Sequence, residues 1–312
     1  MASEPSGPSS VQAPATHQPP SELLARIQGL ELRARTAVEG LPGGSHRSHF
    51  RGSSSTFAEH RAYTPGDDIR HLDWKVAARS DRLMVRQFEA ETDLATTLLI
   101  DSSASMSYSS GGPSKWQYAT WAAAAMGLLL ANQGDRFALA ASHEQALLPE
   151  HKGGMSHWRD TLHQIARQVP QGQGDAVELI EQAIPQLNGR GLVVWISDCL
   201  AEPASILRAA AQLRHAGHDL IVFRTLDPAE VDFNFESNTR FDDLESDLQL
   251  RIQPQAVRQA YRAAFDEHAD ALRVGLLQQG ASFSRVRTDE PLDAILATFL
   301  ARRQARLRKE GL

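Results

Sequence analysis

Short apolar runs that alternate with helix-like segments constrain the fold of this 312-residue chain more than any other feature. The strand-like runs occur at 95–101, 136–142, 191–197, 219–225 and 282–287. The helix-like segments occur at 115–133, 156–169, 175–187, 203–216, 254–278 and 291–307. Strands that alternate with helices are typical of a mostly parallel sheet covered by helices on both faces. The sequence therefore predicts an α/β fold with a doubly wound, mostly parallel sheet.

The segments around this regular pattern predict the domain organisation. The first 20 residues are rich in Ser, Pro and Ala and have neither a basic region nor an apolar core, so we expect a disordered tail and no signal peptide. A helix is expected from Ser21 to Val38, followed by loops and short strands, and residues 231–252 suggest short strands or a hairpin. The predicted parts are a tail, an extension packed on the main domain, the main domain, and a C-terminal helix end, at residues 1–20, 21–90, 91–302 and 303–312.

Composition excludes several functional classes. The net charge of −6 argues against a general nucleic-acid binder, which would be basic. The single cysteine, Cys199, excludes an internal disulfide and a thiolate metal cluster. The longest apolar run, 121–131, is shorter than the about 20 residues needed to span a bilayer. We therefore expect a cytoplasmic protein with no membrane span and no nucleic-acid partner.

Oxygen donors follow the first apolar run of the predicted sheet. Asp101, Ser103 and Ser105 form a D-x-S-x-S pattern directly after Leu98-Leu99-Ile100. The carboxyl ends of parallel strands are where open α/β folds bind ligands. Small oxygen donors without His or Cys suit a hard cation such as Mg²⁺ or Mn²⁺. A serine-rich turn with no ligand is the alternative interpretation.

This pattern resembles the metal-ion-dependent adhesion site (MIDAS) of von Willebrand factor A domains, whose first loop reads D-x-S-x-S. The resemblance implies a third-loop aspartate, which matches Asp198 after a second apolar run, and a second-loop threonine. Gly174, within Gly172-Gln173-Gly174-Asp175, stands where that threonine belongs. The resemblance thus implies a degraded site with a weak Mg²⁺ or Mn²⁺ held by Asp101, Ser103, Ser105 and Asp198.

A second resemblance covers residues 40–302. The segment from Arg61 to Trp74 reads R-A-Y-T-P-G-D-D-I-R-H-L-D-W, and L-D-P-A-E and V-R-T-D-E-P-L follow at 226–230 and 286–292. These motifs are similar to those of the family catalogued as domain of unknown function 58. The resemblance implies a von Willebrand factor A-like domain that acts with a MoxR-type AAA+ ATPase in the assembly or activation of a client protein.

The Arg61–Trp74 segment has two interpretations. Its acidic and basic residues surround a Pro-Gly turn and can pair with one another. Trp74 offers a large area for burial. We expect a structural clasp, which fastens the extension to the main domain through Arg61, Asp67, Asp68, Asp73 and Trp74. A recognition surface for another protein is the alternative.

Enzymatic alternatives are less well supported by the residues. An aspartyl-phosphate phosphotransferase would need an acid where Ser103 stands. A metal-dependent hydrolase could use the histidine- and acid-rich segment 44–73, with His46, His49, His60 and His71, but their spacing matches no zinc signature. We therefore expect a non-enzymatic protein-binding module, with a structural domain carrying a vestigial metal site as a further alternative.

Overall fold

The elements below come from a computed structural model, which describes residues 20–41, 51–63, 72–74, 76, 79, 83–89, 95–141, 148–171, 176–235, 239–242, 244 and 249–309. In chain order they are α1 (Pro20–Glu39), β1 (Arg51–Ala62), β2 (Met84–Glu89), β3 (Ala95–Ile100), α2 (Lys115–Gln133), β4 (Phe137–Ala141), α3 (Gly154–Ala166), α4 (Ala176–Ala183), β5 (Gly191–Ser197), α5 (Pro203–His215), β6 (Asp219–Leu226), α6 (Pro228–Asp232), β7 (Thr239–Asp242), β8 (Gln249–Ile252), α7 (Pro254–Gln278), β9 (Ser282–Arg287) and α8 (Leu292–Lys309). Single 3-10 turns span Ala104–Ser107 and Ile184–Gln186.

Five parallel strands form the central sheet, in the order β4-β3-β5-β6-β9. Strand β3 lies between β4 and β5, and Ile100 at its end is in register with Ala141 and Ile196. The carboxyl ends of these strands therefore meet at one edge of the sheet. The predicted α/β class with a mostly parallel sheet is confirmed.

Helices cover both faces of this sheet, which explains why its central strands β3 and β5 are buried almost throughout. Leu98 and Ile100 face a core formed with α1, α2, α3 and α8. Leu99 faces a second core formed with α4, α5 and α7. In β5 all seven residues are buried. The sheet is doubly wound, as predicted.

Helix α2 packs closely on the sheet and begins at its carboxyl edge. Ser114 caps the helix in a capping box with Gln117, so Lys115 is its first residue. At Gly127 a Cβ would lie 3.2 Å from the side chains of Phe137 and Trp158, so only glycine permits this packing without displacement. The helix therefore places Lys115 at a fixed position beside the strand ends.

Two small antiparallel pairs accompany the main sheet. Strands β1 and β2 pair with each other, and β7 and β8 form the hairpin expected before α7. Leu30 and Ala34 of α1 belong to the first core. The boundary between residues 21–90 and 91–302 stays a prediction. Within the described ranges, no helix is both long and apolar enough to cross a membrane.

Candidate functional site

Asp101 joins the ends of two neighbouring strands. Its backbone N–H donates to the Ile196 carbonyl at 2.9 Å, which extends the ladder between β3 and β5 by one bond. Its carboxylate accepts the Ser103 N–H at Oδ1 (2.9 Å) and the Ser197 hydroxyl at Oδ2 (2.7 Å). The side chain is buried. Asp101 is therefore held in one orientation by the loop that it begins and by the end of β5.

The serines of the D-x-S-x-S pattern connect Asp101 to Asp198. The hydroxyls of Ser103 and Ser105 are 2.9 Å apart, and Ser105 Oγ donates to Asp198 Oδ2 at 2.8 Å. Ser103 and Asp198 are buried and Ser105 is half-buried. The structure thus places all four residues of the predicted metal site in one hydrogen-bonded group.

A lysine that the sequence analysis did not select lies in the same group. Lys115 Nζ donates to Asp198 Oδ2 at 2.7 Å and to Glu230 Oε1 at 2.7 Å, and its side chain is only 1% exposed. A positive charge in the first turn of a helix opposes the helix macrodipole. A lysine at that position of an otherwise apolar helix was the sequence signal for a nearby acidic partner.

The loop after β6 completes the arrangement. Asp227 caps α6 in a capping box with Glu230, and its Oδ2 accepts the Ser110 N–H at 2.9 Å. Glu230 in turn binds Lys115. The polar network (Asp101, Ser103, Ser105, Lys115, Asp198 and Glu230) therefore links the loops that follow three adjacent strands, β3, β5 and β6.

Charge is distributed unevenly over the polar network. Burial and the nearby Asp198 carboxylate raise the pKa of Asp101 to about 6, although the bonds from Ser103 and Ser197 oppose the rise. Burial lowers the pKa of Lys115, but the charges and hydrogen bonds of Asp198 and Glu230 outweigh it, so that pKa lies above its ordinary value. Within the described part of the chain, no cation offsets the charge of Asp101.

The residue after Asp198 has an unusual backbone. Cys199 is buried with φ at +52°, a region that residues other than glycine rarely adopt. Arg224 Nε donates to the Asp198 carbonyl at 3.0 Å and helps to hold this turn. Burial raises the pKa of the Cys199 thiol to about 12, so it stays protonated at neutral pH and is not an activated nucleophile.

The donors of the predicted site fit a hard cation by type, because all are carboxylate or hydroxyl oxygens. Gly174 lies outside the described residues, but Gln171 shortly before it donates its N–H to the Ser102 carbonyl at 3.0 Å. The second loop therefore starts beside the first. In the described ranges no three His, Cys, Asp or Glu residues form a metal-binding group. The cation stays a prediction.

The Arg61–Trp74 segment is described only in part. Asp67 and Asp68 lie outside the described residues, and Arg61 is described only as backbone of β1, opposite Val85. Asp73 is buried, and its Oδ1 accepts the Val76 N–H at 3.2 Å. Trp74 is 66% exposed, so the prediction that its burial anchors a clasp is wrong. The aromatic ring lies on the surface.

Of the four histidines in segment 44–73, His46, His49 and His71 lie outside the described residues, and only the backbone of His60 is described.

Comparison with known sequences decides the family. The family model described as "Protein of unknown function DUF58" matches residues 59–271. The chain belongs to the DUF58 family. An uncharacterized protein of Mycobacterium tuberculosis strain H37Rv, Rv1480, is 32% identical over 308 residues, which cover 94% of this chain and 96% of that protein. The uncharacterized protein YeaD of Bacillus subtilis is 37% identical over 73 residues, 23% of this chain and 17% of YeaD.

Solved structures similar to this DUF58 protein are more distant. BatB, a conserved hypothetical protein from Bacteroides thetaiotaomicron, has a TM-score of 0.46 and 13% identity, covering 67% of this chain and 98% of BatB. The SpRpn10 VWA domain has a TM-score of 0.39 and 10% identity, covering 65% of this chain and 93% of that domain. Membership of the family rests on the sequence matches.

Proposed function

We propose that this DUF58 protein is a non-enzymatic module that binds another protein through its loop face, the loops that follow β3, β5 and β6. The observation that carries the proposal is the buried polar network, which fixes these three loops to one another. Binding residues are commonly carried by loops on a rigid scaffold, and open α/β sheets bind ligands at this edge. A fixed set of loops presents one surface to a partner with little ordering cost.

The outer side of the loop face suits a protein partner. Ser107, Ser109 and Gly112 in the first loop are exposed. Leu200, directly after the strained Cys199, is 52% exposed. Leu200 is thus an exposed apolar residue on the same loop face as exposed small residues, and protein interfaces typically combine an apolar centre with a polar rim. Leu200 is therefore the proposed contact residue of the face.

A divalent cation is the second part of the proposal. Asp101, Ser103, Ser105 and Asp198 would hold Mg²⁺ or Mn²⁺ weakly, directly or through water. When bound, such an ion supplies positive charge that can attract a carboxylate of the partner. The support is the oxygen-only donor set and the uncompensated charge of Asp101.

The proposed partner is a MoxR-type AAA+ ATPase, acting together with this protein on a client. The support for this partner is the resemblance carried by the Arg61–Trp74 motif and membership of the DUF58 family. The loop face supplies the place where such a partner can dock.

Capture of a purified MoxR-type ATPase from the source organism tests the proposal. The Ser103→Ala/Ser105→Ala double variant and Leu200→Asp should each weaken capture by at least tenfold and keep the wild-type circular dichroism spectrum. Leu277→Asp is the matched control, because Leu277 is similarly exposed (51%) but lies in the last turn of α7, near the opposite edge of the sheet. Wild-type capture by both loop variants would show that the contact lies elsewhere.

Exposed Trp74 supports a second docking surface. A tryptophan that is 66% exposed is typical of interface anchors, which are enriched in this residue. Trp74→Ala in the same capture assay distinguishes the two surfaces. Loss of capture in Trp74→Ala alone would assign docking to the Arg61–Trp74 segment and not to the loop face.

A further inference from the structure

One carboxylate oxygen of Asp198, a predicted metal ligand, is already bound by a cation. Asp198 Oδ2 accepts the Lys115 ammonium at 2.7 Å and the Ser105 hydroxyl at 2.8 Å. We propose that Lys115 is an internal cation that holds the loop face together without metal and competes with a divalent ion for Asp198. This inference rests on the cation site of the proposed function and deepens it.

The position of Lys115 shows that the ammonium is a built part of the site. Its side chain is 1% exposed, and it bridges Asp198 after β5 and Glu230 after β6, which are 83 and 115 residues away in sequence. A buried lysine is tolerated only where carboxylates compensate its charge. The bridge therefore does for two loops what a bound metal ion does in other proteins, because it attracts carboxylates from separate segments to one positive charge.

The competition between Lys115 and a divalent ion follows from their positive charges. A divalent ion on Asp198 would share the carboxylate with the ammonium, and two cations on one buried carboxylate repel each other strongly. The single positive charge of the ammonium compensates only part of the negative charge of the two carboxylates it touches, and in the described ranges Asp101 has no cationic contact, so negative charge remains at the site to attract a metal. Lys115 thus lowers metal affinity, and its removal should raise it.

The test is Mn²⁺ binding by the full-length chain, measured by electron paramagnetic resonance and by the melting temperature with EDTA or with Mn²⁺. Lys115→Met removes the charge and keeps most of the side-chain length. Compared with wild type, it should melt lower in EDTA, regain stability with Mn²⁺ and bind Mn²⁺ at least tenfold more tightly. Lys152→Met is the matched control, since Lys152 is 61% exposed and pairs with Phe137 at the amino end of β4, away from the edge that carries the polar network; it should behave as wild type.

Two further variants keep the result interpretable. Lys115→Gln retains a hydrogen-bond donor without the charge, and it should show the same gain in Mn²⁺ affinity even if Lys115→Met fails to fold in EDTA. Asp101→Ala added to either variant should abolish the gain, which would locate the ion at this site. An unchanged or weaker Mn²⁺ affinity in both Lys115 variants, with measurable binding by wild type, would overturn the competition alone. Absence of Mn²⁺ binding in wild type and in both variants would overturn the proposed cation site as well.

Discussion

The two ends of the parallel sheet differ in how their carboxylates are paired. At the amino ends of the strands, Asp135 before β4 pairs with Arg303, and Asp219 at the start of β6 pairs with Arg214 and Arg306. At the carboxyl ends, Lys115 pairs with Asp198 and Glu230, while in the described part of the chain the carboxylate of Asp101 is bound by neutral donors. The two carboxylates named at the amino end are each paired with arginine, whereas Asp101 at the carboxyl end has no cationic partner in the described ranges.

The pKa values follow this difference. Burial raises the pKa of Asp219, but the hydrogen bonds and charges of Arg306 and Arg214 outweigh it, so that pKa lies below its ordinary value. The pKa of Asp101 is raised to about 6 by burial and by Asp198. Carboxylates with perturbed pKa values at a strand-end edge are typical of functional sites, whereas arginine-paired carboxylates are typical of structural ones. The comparison indicates a stabilising role for the arginine pairs at the amino end and supports the proposal that the carboxyl end serves in binding.

The largest expected effect is at the amino end. Arg303→Met takes the arginine partner from Asp135, and both side chains of this ion pair are at most 4% exposed. Breaking a buried ion pair from one side costs about 3–5 kcal/mol of unfolding free energy. Urea denaturation should show a loss of this size. Arg302→Met, one residue away on the exposed side of α8, should change stability by less than about 0.5 kcal/mol. Equal effects of the two variants would contradict a structural role for this pair.

A smaller effect of opposite sign is expected at the carboxyl end. Because the pKa of Asp101 is raised from 3.8 to about 6, the folded state binds a proton more tightly than the unfolded state. Its contribution therefore favours folding below pH 4, and this advantage is lost as the pH rises to about 6. A difference of about two pH units corresponds to at most roughly 3 kcal/mol.

Asp101→Asn should remove the loss of stability that accompanies the rise in pH, since the amide stays neutral. The amide also keeps an oxygen that can accept the Ser103 N–H. In EDTA at pH 7.5 the variant should be more stable than wild type, and between pH 4 and pH 6.5 its stability should change less. Urea unfolding at several pH values measures both. Asp135→Asn is the control at the compensated end, and it should destabilise the protein. A destabilised Asp101→Asn at pH 7.5 would mean that the carboxylate is a structural group like those at the amino end.

The sequence was sufficient for the sheet and for part of the site. Short apolar runs such as 191–197 are typical of strands covered on both faces, so the strand positions were predictable. Because parallel strands end at one edge, Asp101 and Asp198 were expected to meet there, and Ser105 does connect to Asp198. Both the strand positions and the proximity of Asp101 and Asp198 follow from patterns within short stretches of sequence.

The remaining features depend on contacts between distant segments. Lys115 reaches Glu230 across 115 residues, and Arg303 reaches Asp135 across 168. No periodicity or spacing encodes which loop faces which, so the partner residues in these two pairs could not be identified from the sequence. At Trp74 the sequence led to a wrong prediction, because its residue type predicts burial while the side chain is exposed in the structure. Pairings that depend on how loops and helices meet require the structure.

The smallest expected effect is at Asp219, where solvent weakens the pairing. Asp219 is 30% exposed and Arg214 is 31% exposed, so screening reduces the value of their contact, although Arg306 is only 8% exposed. Asp219→Asn should lower the unfolding free energy by about 1 kcal/mol at pH 7. Because the pKa of Asp219 is lowered, its contribution is complete above the ordinary value of 3.8 and is lost as the pH falls through the lowered value.

Urea unfolding of Asp219→Asn and wild type should therefore differ at pH 7 and converge in acid, below the ordinary aspartate pKa. This direction is the reverse of that expected for Asp101, so the two variants together test the comparison between the ends of the sheet. Asp266→Asn is the matched control, because Asp266 is 71% exposed and lies 3.9 Å from Arg285; it should leave stability unchanged at both pH values. If Asp219→Asn were as destabilising in acid as at pH 7, the lost contribution would come from packing or neutral hydrogen bonds. Charge compensation would then not be what distinguishes the amino end from the carboxyl end.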